Sequence, residues 1–424
     1  MHFKKTTFSN GLRLITAPMK ETQTVTVVVA VAAGSKYENK KNNGISHFLE
    51  HMFFKGTKKR PKTKDIAEEL DSVGGEFNAF TSQESTVYYA KVDARHLDVA
   101  LDVVSDIYLN SKLDEKEISR ERGVILQELN MYEDTPMLVV QEEFEHLLYG
   151  DQPAGRRIIG TKENIERMKR KDFTGYMRNL YTAPNTVVCV AGNLDKANIE
   201  KKIGKLFRGA KKGPVNIKPR VVEKQSNTQL RLRHKKTDQA HLVIGARAFD
   251  MFHRDRHALS ILSNILGGTI SSRLFLSVRE RLGLAYYVSS SYEGYTDSGY
   301  LAVRAGVSTE PSKIEKTAKT IVGEIKKLKD RKVSEKELQK AKDNIRGKTA
   351  LSLESSDEVA SFLVGQELLK RKIETSEQLL SKIEKVSSDD IMRVARKIFT
   401  KDRLNLAMIG PVEDKKFLEK IVKL

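Results

Sequence analysis

At 424 residues, the chain is longer than one hydrophobic core usually supports, so we expect at least two domains. A hydrophobic content of 39% suits a globular protein, and the single cysteine, Cys189, excludes an intrachain disulfide and a thiolate zinc cluster. The formal charge of +19 is compatible with nucleic-acid binding, but the lysines are spread along helical segments and no RNA-binding or zinc-finger pattern is present. We therefore interpret the charge as a solvated basic surface and expect no nucleic-acid partner.

Targeting signals are missing from the sequence. The N-terminal stretch has no apolar core of a signal peptide, and no run of 18 apolar residues is present. We therefore expect a cytoplasmic protein that does not span a membrane.

The first half of the chain predicts strands and helices in alternation. Residues 7–18 predict two strands joined by a turn at Asn10-Gly11, and the β-branched run 23–33 predicts a buried strand. The following elements are, in chain order, a helix within 44–57, a helix at 63–72, a β-hairpin at 76–92, a helix at 94–109, a long helical region over 114–149, a helical stretch at 161–181 and a strand at 186–191.

A linker divides the chain, because residues 208–222 are rich in Gly, Pro and Lys and lack apolar periodicity. We assign an N-terminal domain to 1–210, a linker to 211–222 and a C-terminal domain to 223–424. The second half predicts strands at 229–234, 240–246, 285–291 and 299–306, helices at 256–266, 311–329 and 333–348, and a helix-to-strand tail at 387–412. This order repeats that of the first half and indicates an internal duplication of an α/β unit of roughly 200 residues.

The segment from Gly44 to Thr57 predicts a buried amphipathic helix that carries a metal site. His47 and His51 are four residues apart, so they lie on one face of the helix and are able to bind one metal ion. Glu50 lies beside them, where a carboxylate is able to take a proton from a metal-bound water without being a ligand. The pattern H-x-x-E-H is the inverse of the zinc motif H-E-x-x-H.

The second copy of the repeat lacks this chemistry. Aligning Gly56-Thr57 with Gly268-Thr269 places three other residues opposite the two histidines and Glu50: Leu259, Leu262 and Ser263. A fold that needed the polar residues for packing would have kept them in both copies. The difference therefore favours a functional role for the first-half residues.

A third ligand is expected, because catalytic zinc sites use three protein ligands and one open position. Glu128 lies among apolar residues of a predicted helix, and a buried carboxylate must be paired or bound to a metal. The second copy has Lys348 at the equivalent position. We assign Glu128 as the third ligand.

Glu121 precedes Glu128 by two helical turns, so the two side chains lie on the same face. Its counterpart in the second copy is Ala341. We expect Glu121 to orient a ligand or the water. The alternative is a surface ion pair with Arg120 or Lys116.

The H-x-x-E-H motif followed by Glu128 resembles the insulinase/pitrilysin family of zinc peptidases, which includes the mitochondrial processing peptidase and subunit-sized bacterial members. GGEFNAFTS (74–82), GGTISSRLF (267–275) and VRERLGLAYYV (278–288) resemble further motifs of that family, so the resemblance extends across the chain. Thr269 stands where a third glycine is common. The resemblance implies an α+β fold: two homologous α/β domains, each a mainly antiparallel sheet packed with helices, that form half of a clamshell.

The resemblance also implies a zinc-dependent endopeptidase with one Zn²⁺ per chain. Asn78 and Ala79 would contact a peptide substrate held as an added β-strand, and Arg279 and Tyr286 would stabilise the substrate or the oxyanion. Each has a plainer interpretation: Asn78 as an ordinary edge residue, Arg279 as a solvent-exposed charge, Tyr286 as a core residue. Two other functions remain open: a non-catalytic scaffold subunit of a peptidase complex, and a basic nucleic-acid-binding protein.

The resemblance implies a partner chain as well. Larger relatives join four such units around a closed chamber, with the zinc on the first and the Arg/Tyr pair on the fourth. A chain of two units reproduces this arrangement only by pairing, as a homodimer or with a related subunit. We therefore expect Arg279 and Tyr286 of one chain to face the zinc of the other.

Overall fold

Two β-sheets organise the computed structural model, which describes residues 1–194 and 198–414 together with Phe417 and Glu419. The end of the predicted second domain, 420–424, lies outside the described residues. The first sheet contains β1 (Lys4–Thr7), β2 (Arg13–Pro18), β3 (Thr24–Val31), β4 (Glu76–Thr81), β5 (Thr86–Asp93) and β6 (Thr186–Gly192). The second sheet contains β7 (Gln229–His234), β8 (Gln239–Arg247), β9 (Ala285–Gly294), β10 (Gly299–Ser308) and β11 (Leu404–Gly410).

The helices pack on these two sheets. In the described part of the chain they are α1 (Ile45–Phe53), α2 (Thr63–Asp71), α3 (Leu97–Asn110), α4 (Glu115–Glu133), α5 (Pro136–Tyr149), α6 (Lys162–Arg167), α7 (Arg170–Leu180), α8 (Ile199–Leu206), α9 (Arg256–Gly267), α10 (Pro311–Asp330), α11 (Glu335–Ser352), α12 (Ser356–Lys370), α13 (Ser376–Glu384) and α14 (Ser388–Ile398). Among the described residues, no helix combines the length and the apolar character needed to cross a membrane.

Strand order confirms the internal duplication. The first sheet has the order β1-β2-β6-β3-β5-β4, and the second has β7-β11-β8-β10-β9. From β2 onward, the two sheets match strand for strand. In each, one pair is parallel, β2 with β6 and β7 with β11, and the other matched pairs are antiparallel. The fold is therefore the expected pair of homologous units with mainly antiparallel sheets, and β4 is an edge strand of the first sheet.

Both faces of the sheets are covered. In the second sheet, Leu242 and Ile244 of β8 pack in a core with α9, α10 and α14, while Val243 packs with α5 on the other face. In the first sheet, Val28 of β3 packs against α12. Strands buried on both faces are expected to be almost continuously apolar, which explains the run of valines in β3.

Two helices are exchanged between the repeats. The first compact unit combines Met1–Asn130, Arg157–Pro219 and Thr349–Thr375, so it includes α12, and the second unit takes the remainder, including α5. The contiguous domains 1–210 and 223–424 expected from the sequence are corrected here for these two helices. The physical reason is the burial of their apolar faces: Phe144 of α5 packs in the core with Val243, and Leu363 of α12 packs with Val28.

Two predicted helical regions are interrupted. The region 114–149 breaks between α4 and α5, where Pro136 occupies the first turn of the new helix, because proline has no amide hydrogen with which to continue the old one. The stretch 161–181 divides into α6 and α7, and Asp172 caps the second helix by accepting a hydrogen bond from the Lys169 amide. Between 210 and 228 the chain has neither helix nor strand, and the unit boundary after Pro219 falls there.

Candidate metal centre

The helix α1 begins at a buried carboxylate. Glu38 is 1% exposed and accepts hydrogen bonds from the amides of Gly44 and Ser46, both at 2.8 Å. Burial raises the pKa of Glu38, although these hydrogen bonds oppose the shift. Gly44 has φ +98°, and a Cβ there would lie 2.6 Å from the carbonyl oxygen of Ile159, so only glycine fits this start.

The helix buries one face and presents the other. Phe48, Leu49, Met52 and Phe53 are fully buried, and the Phe53 ring stacks on Tyr88 of β5 at 4.8 Å between ring centroids. The side chains of His47 and His51 remain 13% and 22% exposed on the opposite face. Core packing therefore fixes the helix with its polar residues directed outward.

His47, His51 and Glu128 meet in space. Nε2 of His47 lies 3.5 Å from Oε1 of Glu128, and Nε2 of His51 lies 3.5 Å from Oε2 of the same carboxylate. One donor atom from each residue lies within 4.8 Å of the others. Ligand atoms around a tetrahedral zinc, with bonds of about 2.0–2.2 Å, are separated by about 3.3 Å. Two imidazoles and a carboxylate at these separations fit a zinc ion.

Glu121 lies behind the histidines. Its Oε1 is 2.8 Å from Nδ1 of His51, and its Oε2 is 2.7 Å from Nζ of Lys55. Glu121 is 4% exposed, and Arg120 pairs with Glu117 instead. The surface-pair alternative for Glu121 is therefore wrong. The Glu121 carboxylate holds the His51 ring by the nitrogen that does not face Glu128.

The charges of the site act on one another. Burial alone would lower the pKa of His51, but the hydrogen bond and charge of Glu121, together with the charges of Glu128 and Glu50, raise it. Burial would raise the pKa of Glu121, but His51 and Lys55 lower it. The hydrogen bond with His47 lowers the pKa of Glu128. Without a metal, the carboxylates thus stay ionised and His51 holds its proton more tightly.

Glu50 is fixed by the edge strand. The hydroxyl of Thr81, the last residue of β4, donates a hydrogen bond of 2.5 Å to Oε2 of Glu50. Glu50 is not part of the three-residue group that could hold a metal. Its carboxylate therefore stands on the same helix face as His47 and His51 without being one of the three converging donors.

Asn78 and Ala79 lie on β4, as the hairpin prediction requires. They pair with Tyr89 and Tyr88 of β5, and because β4 ends the sheet order, its other edge has no strand neighbour in the described part of the chain. Oδ1 of Asn78 accepts a hydrogen bond of 2.8 Å from the Ala79 amide. The position is compatible with an added strand, and the role of both residues stays a prediction.

Arg279 and Tyr286 belong to the second unit. Arg279 lies in a π-helical segment, Phe275–Arg281, where its guanidinium carbon is 4.9 Å from the Phe275 ring centroid and 6.0 Å from the Tyr286 ring centroid. Tyr286 is 74% exposed, which excludes its interpretation as a core residue. The structure thus brings these two side chains together.

The equivalent region of the second unit is a packed core. Leu259 and Leu262 are fully buried, and Oγ of Ser263 lies 3.1 Å from Oγ of Ser290. Lys348 donates to the carbonyl of Gly268, and Ala341 is 3% exposed. No set of metal-binding side chains other than His47, His51 and Glu128 is found among the described residues.

Three residues were missed by sequence reasoning: Glu38, Lys55 and Thr81. Lys55 follows His51 by four residues, so helical spacing could have placed it near the site. Thr81 lies inside the GGEFNAFTS motif. Glu38 gave no local signal, because it caps the helix from the preceding loop.

The fold that carries this candidate metal centre is that of a peptidase family. The family model for "Insulinase (Peptidase family M16)" matches residues 13–162, and the model for "Peptidase M16 inactive domain" matches residues 167–345. The chain therefore belongs to peptidase family M16, the insulinase family. The second match agrees with the packed leucines at the equivalent positions of the second unit, where the first unit has the candidate metal site.

Relatives and solved structures resemble the chain over almost its full length. It is 38% identical to an uncharacterised zinc protease, YmxG, of Bacillus subtilis, over 96% of this chain and 98% of that one. It is 34% identical to an uncharacterised zinc protease of Streptomyces coelicolor, over 97% and 90%. A protease structure from Helicobacter pylori superposes with a TM-score of 0.90 at 24% identity, covering 97% of this chain and 99% of that one. A peptidase M16 inactive domain from Pseudomonas fluorescens gives a TM-score of 0.88 at 17% identity, with coverage of 97% and 99%.

Proposed function

We propose that the protein is a zinc-dependent endopeptidase that binds one Zn²⁺ through His47, His51 and Glu128. The observation that carries this proposal is the convergence of these three side chains beside Glu50. The relatives named zinc proteases support the choice of metal. The complete set of polar residues argues against an eroded scaffold subunit.

The chain's own residues supply orientation and proton transfer. When bound, zinc acts as a Lewis acid that polarises a carbonyl and acidifies water. Glu50 would then carry the proton. Its carboxylate accepts a proton from the water molecule that attacks the peptide carbonyl, and it returns this proton to the leaving amine. The hydrogen bond from Thr81 holds Oε2 of Glu50, so that Oε1 is the oxygen that receives the proton.

The substrate would be an extended peptide or an unfolded protein segment. The open edge of β4 offers backbone groups to which a peptide strand is able to add, and Thr81 connects that edge to Glu50. Recognition through backbone groups depends on the extended conformation of the peptide more than on its amino-acid sequence. Asn78 and Ala79 would contact the peptide on this edge.

Pairing of two chains would complete the site within a closed chamber. Arg279 and Tyr286 of one chain would face the zinc of a second chain and bind the substrate or the oxyanion. Three large hydrophobic residues in this part of the second unit are exposed, and a second chain could cover them. Their exposed fractions are 76% for Ile270, 45% for Leu276 and 74% for Tyr286. A homodimer is the simplest assembly, and a related subunit is the alternative.

The decisive experiment combines metal analysis with peptide cleavage. We expect one zinc per chain, cleavage of an unstructured peptide, loss of cleavage on chelation and recovery on adding zinc. Glu50→Gln should retain the zinc and lose cleavage by about 10² to 10⁴-fold. Glu115→Gln, which removes an exposed glutamate of α4, is the matched control. Cleavage at the normal rate by Glu50→Gln would show that Glu50 is not the base.

A further inference from the structure

A cationic cavity in the first unit has none of the candidate metal ligands in its lining. It has a volume of about 220 Å³ and is bounded by the end of α3, by α7 and by residues 209–211. Four cationic side chains line it, and no carboxylate is among the described residues that do so: Lys112, Arg170, Arg178 and Lys211. The formal charge of the residues that line the cavity is therefore +4.

Main-chain contacts hold two of these cations in place. Nε of Arg170 donates to the carbonyl of Leu113 at 3.0 Å, and Nη2 donates to the carbonyl of Lys112 at 3.4 Å. Nζ of Lys112 lies 3.4 Å from the carbonyl oxygen of Pro61. Neutral carbonyls orient these groups without cancelling their charge. Leu113 itself has φ +49°, an unusual value for a branched residue, and the bond from Arg170 fixes this conformation.

Another basic cavity, of about 370 Å³ beside the start of α9, shows the contrast. There, Asp255 and Asp390 also line the cavity, and both accept hydrogen bonds from Arg393. These two carboxylates therefore neutralise part of the positive charge of that cavity. The cavity next to α7 has no such internal pairing in its lining.

We propose that the α7 cavity binds a compact phosphate anion, either inorganic phosphate or pyrophosphate. Its volume corresponds to about seven water molecules at about 30 Å³ each, which is below the range of about 300–1,000 Å³ typical of larger ligands. Guanidinium and ammonium groups bind phosphate oxygens through charge-assisted hydrogen bonds. Cations on several walls suit a tetrahedral anion with oxygens in all directions. Thr174, which also lines the cavity, adds a hydroxyl group.

Calorimetric titration of the zinc-loaded full chain with phosphate and with pyrophosphate tests the proposal. The double variant Arg178→Gln/Lys211→Gln removes two exposed cations of the cavity. The control Arg208→Gln/Lys205→Gln removes the same charge from nearby exposed positions outside it. Arg178→Lys keeps the positive charge but replaces the planar guanidinium group, with its several N–H donors, by an ammonium group. Thermal unfolding of each variant verifies that the fold is retained.

We expect one anion per chain, with an affinity that falls as salt rises. The double variant should bind weaker by about tenfold for each lost cation, the control should bind normally, and Arg178→Lys should lie between them. Three results would overturn the proposal: no binding at millimolar anion, equal weakening of the double variant and the control, or binding that survives the double substitution and disappears when zinc is removed. The last result would place the anion at the metal centre.

Discussion

Thr81 Oγ1 donates a 2.5 Å hydrogen bond to Oε2 of Glu50, and this bond joins the edge strand β4 to the helix α1. A substrate strand added to β4 would therefore be positioned by the same element that orients the proposed base. Peptide binding and proton transfer by Glu50 would then be connected through one hydroxyl group.

Removing this hydroxyl should reduce catalysis and leave the metal bound. We expect Thr81→Val to lower kcat by about tenfold or more, because a hydrogen bond to a charged group contributes about 1.5–3 kcal/mol. Thr81→Ser should restore most of the activity, because serine returns the hydroxyl group that donates to Glu50. An unchanged kcat in Thr81→Val would remove Thr81 from the mechanism.

Lys55 should strengthen zinc binding without contacting the metal. Its ammonium group holds Glu121, and Glu121 holds Nδ1 of His51. Loss of such an indirect contact typically costs 10 to 100-fold in metal affinity, so we expect Lys55→Met to weaken zinc binding by about tenfold. Lys64→Met is the matched control, since Lys64 pairs with Glu68 on the exposed face of α2. Competition with a fluorescent chelator measures both, and equal affinities would contradict the proposed chain of contacts.

Zinc retention should depend on pH in a direction set by His51. The metal binds neutral imidazole, and the pKa of His51 is raised, so protons compete with zinc up to a higher pH than for an ordinary histidine. Affinity should rise with pH through this raised pKa and level off above it. In Glu121→Gln, the largest influences that raise the pKa of His51, the hydrogen bond and the charge of Glu121, are lost, so this pKa should fall. The pH of half-maximal zinc loss should then move down, and an upward movement would show that Glu121 does not set the pKa.

Mixing two inactive chains tests the assembly. Glu50→Gln lacks the base, and Tyr286→Phe lacks the proposed phenol donor of the second unit. If the pair acts across an interface, mixed dimers regain one intact site, and activity should approach about one quarter of the normal value after random exchange of subunits. Light scattering and exchange of labelled chains control for assembly. Activity that stays at the level of either mutant, despite exchange, would place Tyr286 within its own chain or outside catalysis.

The proposed metal-binding set was predictable because helical spacing fixes which side chains share a face. His47 and His51 follow from one turn of α1, and Glu121 and Glu128 from two turns of α4. The contact between these two helix faces could be predicted only from the expected burial of Glu128 and from the second copy. That copy has Leu262 and Lys348 at the positions of Glu50 and Glu128. Helical spacing could not predict the role of Glu38, because its carboxylate accepts hydrogen bonds from the amides of Gly44 and Ser46 from within an irregular loop.

The exchange of α5 and α12 could not be predicted for a different reason. Apolar periodicity shows that a helix has a face to bury, but it does not show which sheet receives that face. Phe144 and Leu363 carry the same kind of signal, and each would suit either sheet. The duplication adds to the ambiguity, because both sheets offer similar apolar surfaces.

This exchange has a consequence for biosynthesis. The helix α12, which packs on one face of the first sheet, begins more than 160 residues after β6, the last strand of that sheet in chain order. During translation, the first half therefore leaves the ribosome with one face of its sheet bare, and it stays so until most of the second half has been made. Closing such distant contacts slows folding, and exposed apolar strands favour aggregation in the meantime. A chain truncated before Ser356 should accumulate as insoluble material or bound to chaperones, even though it contains every residue of the proposed zinc site.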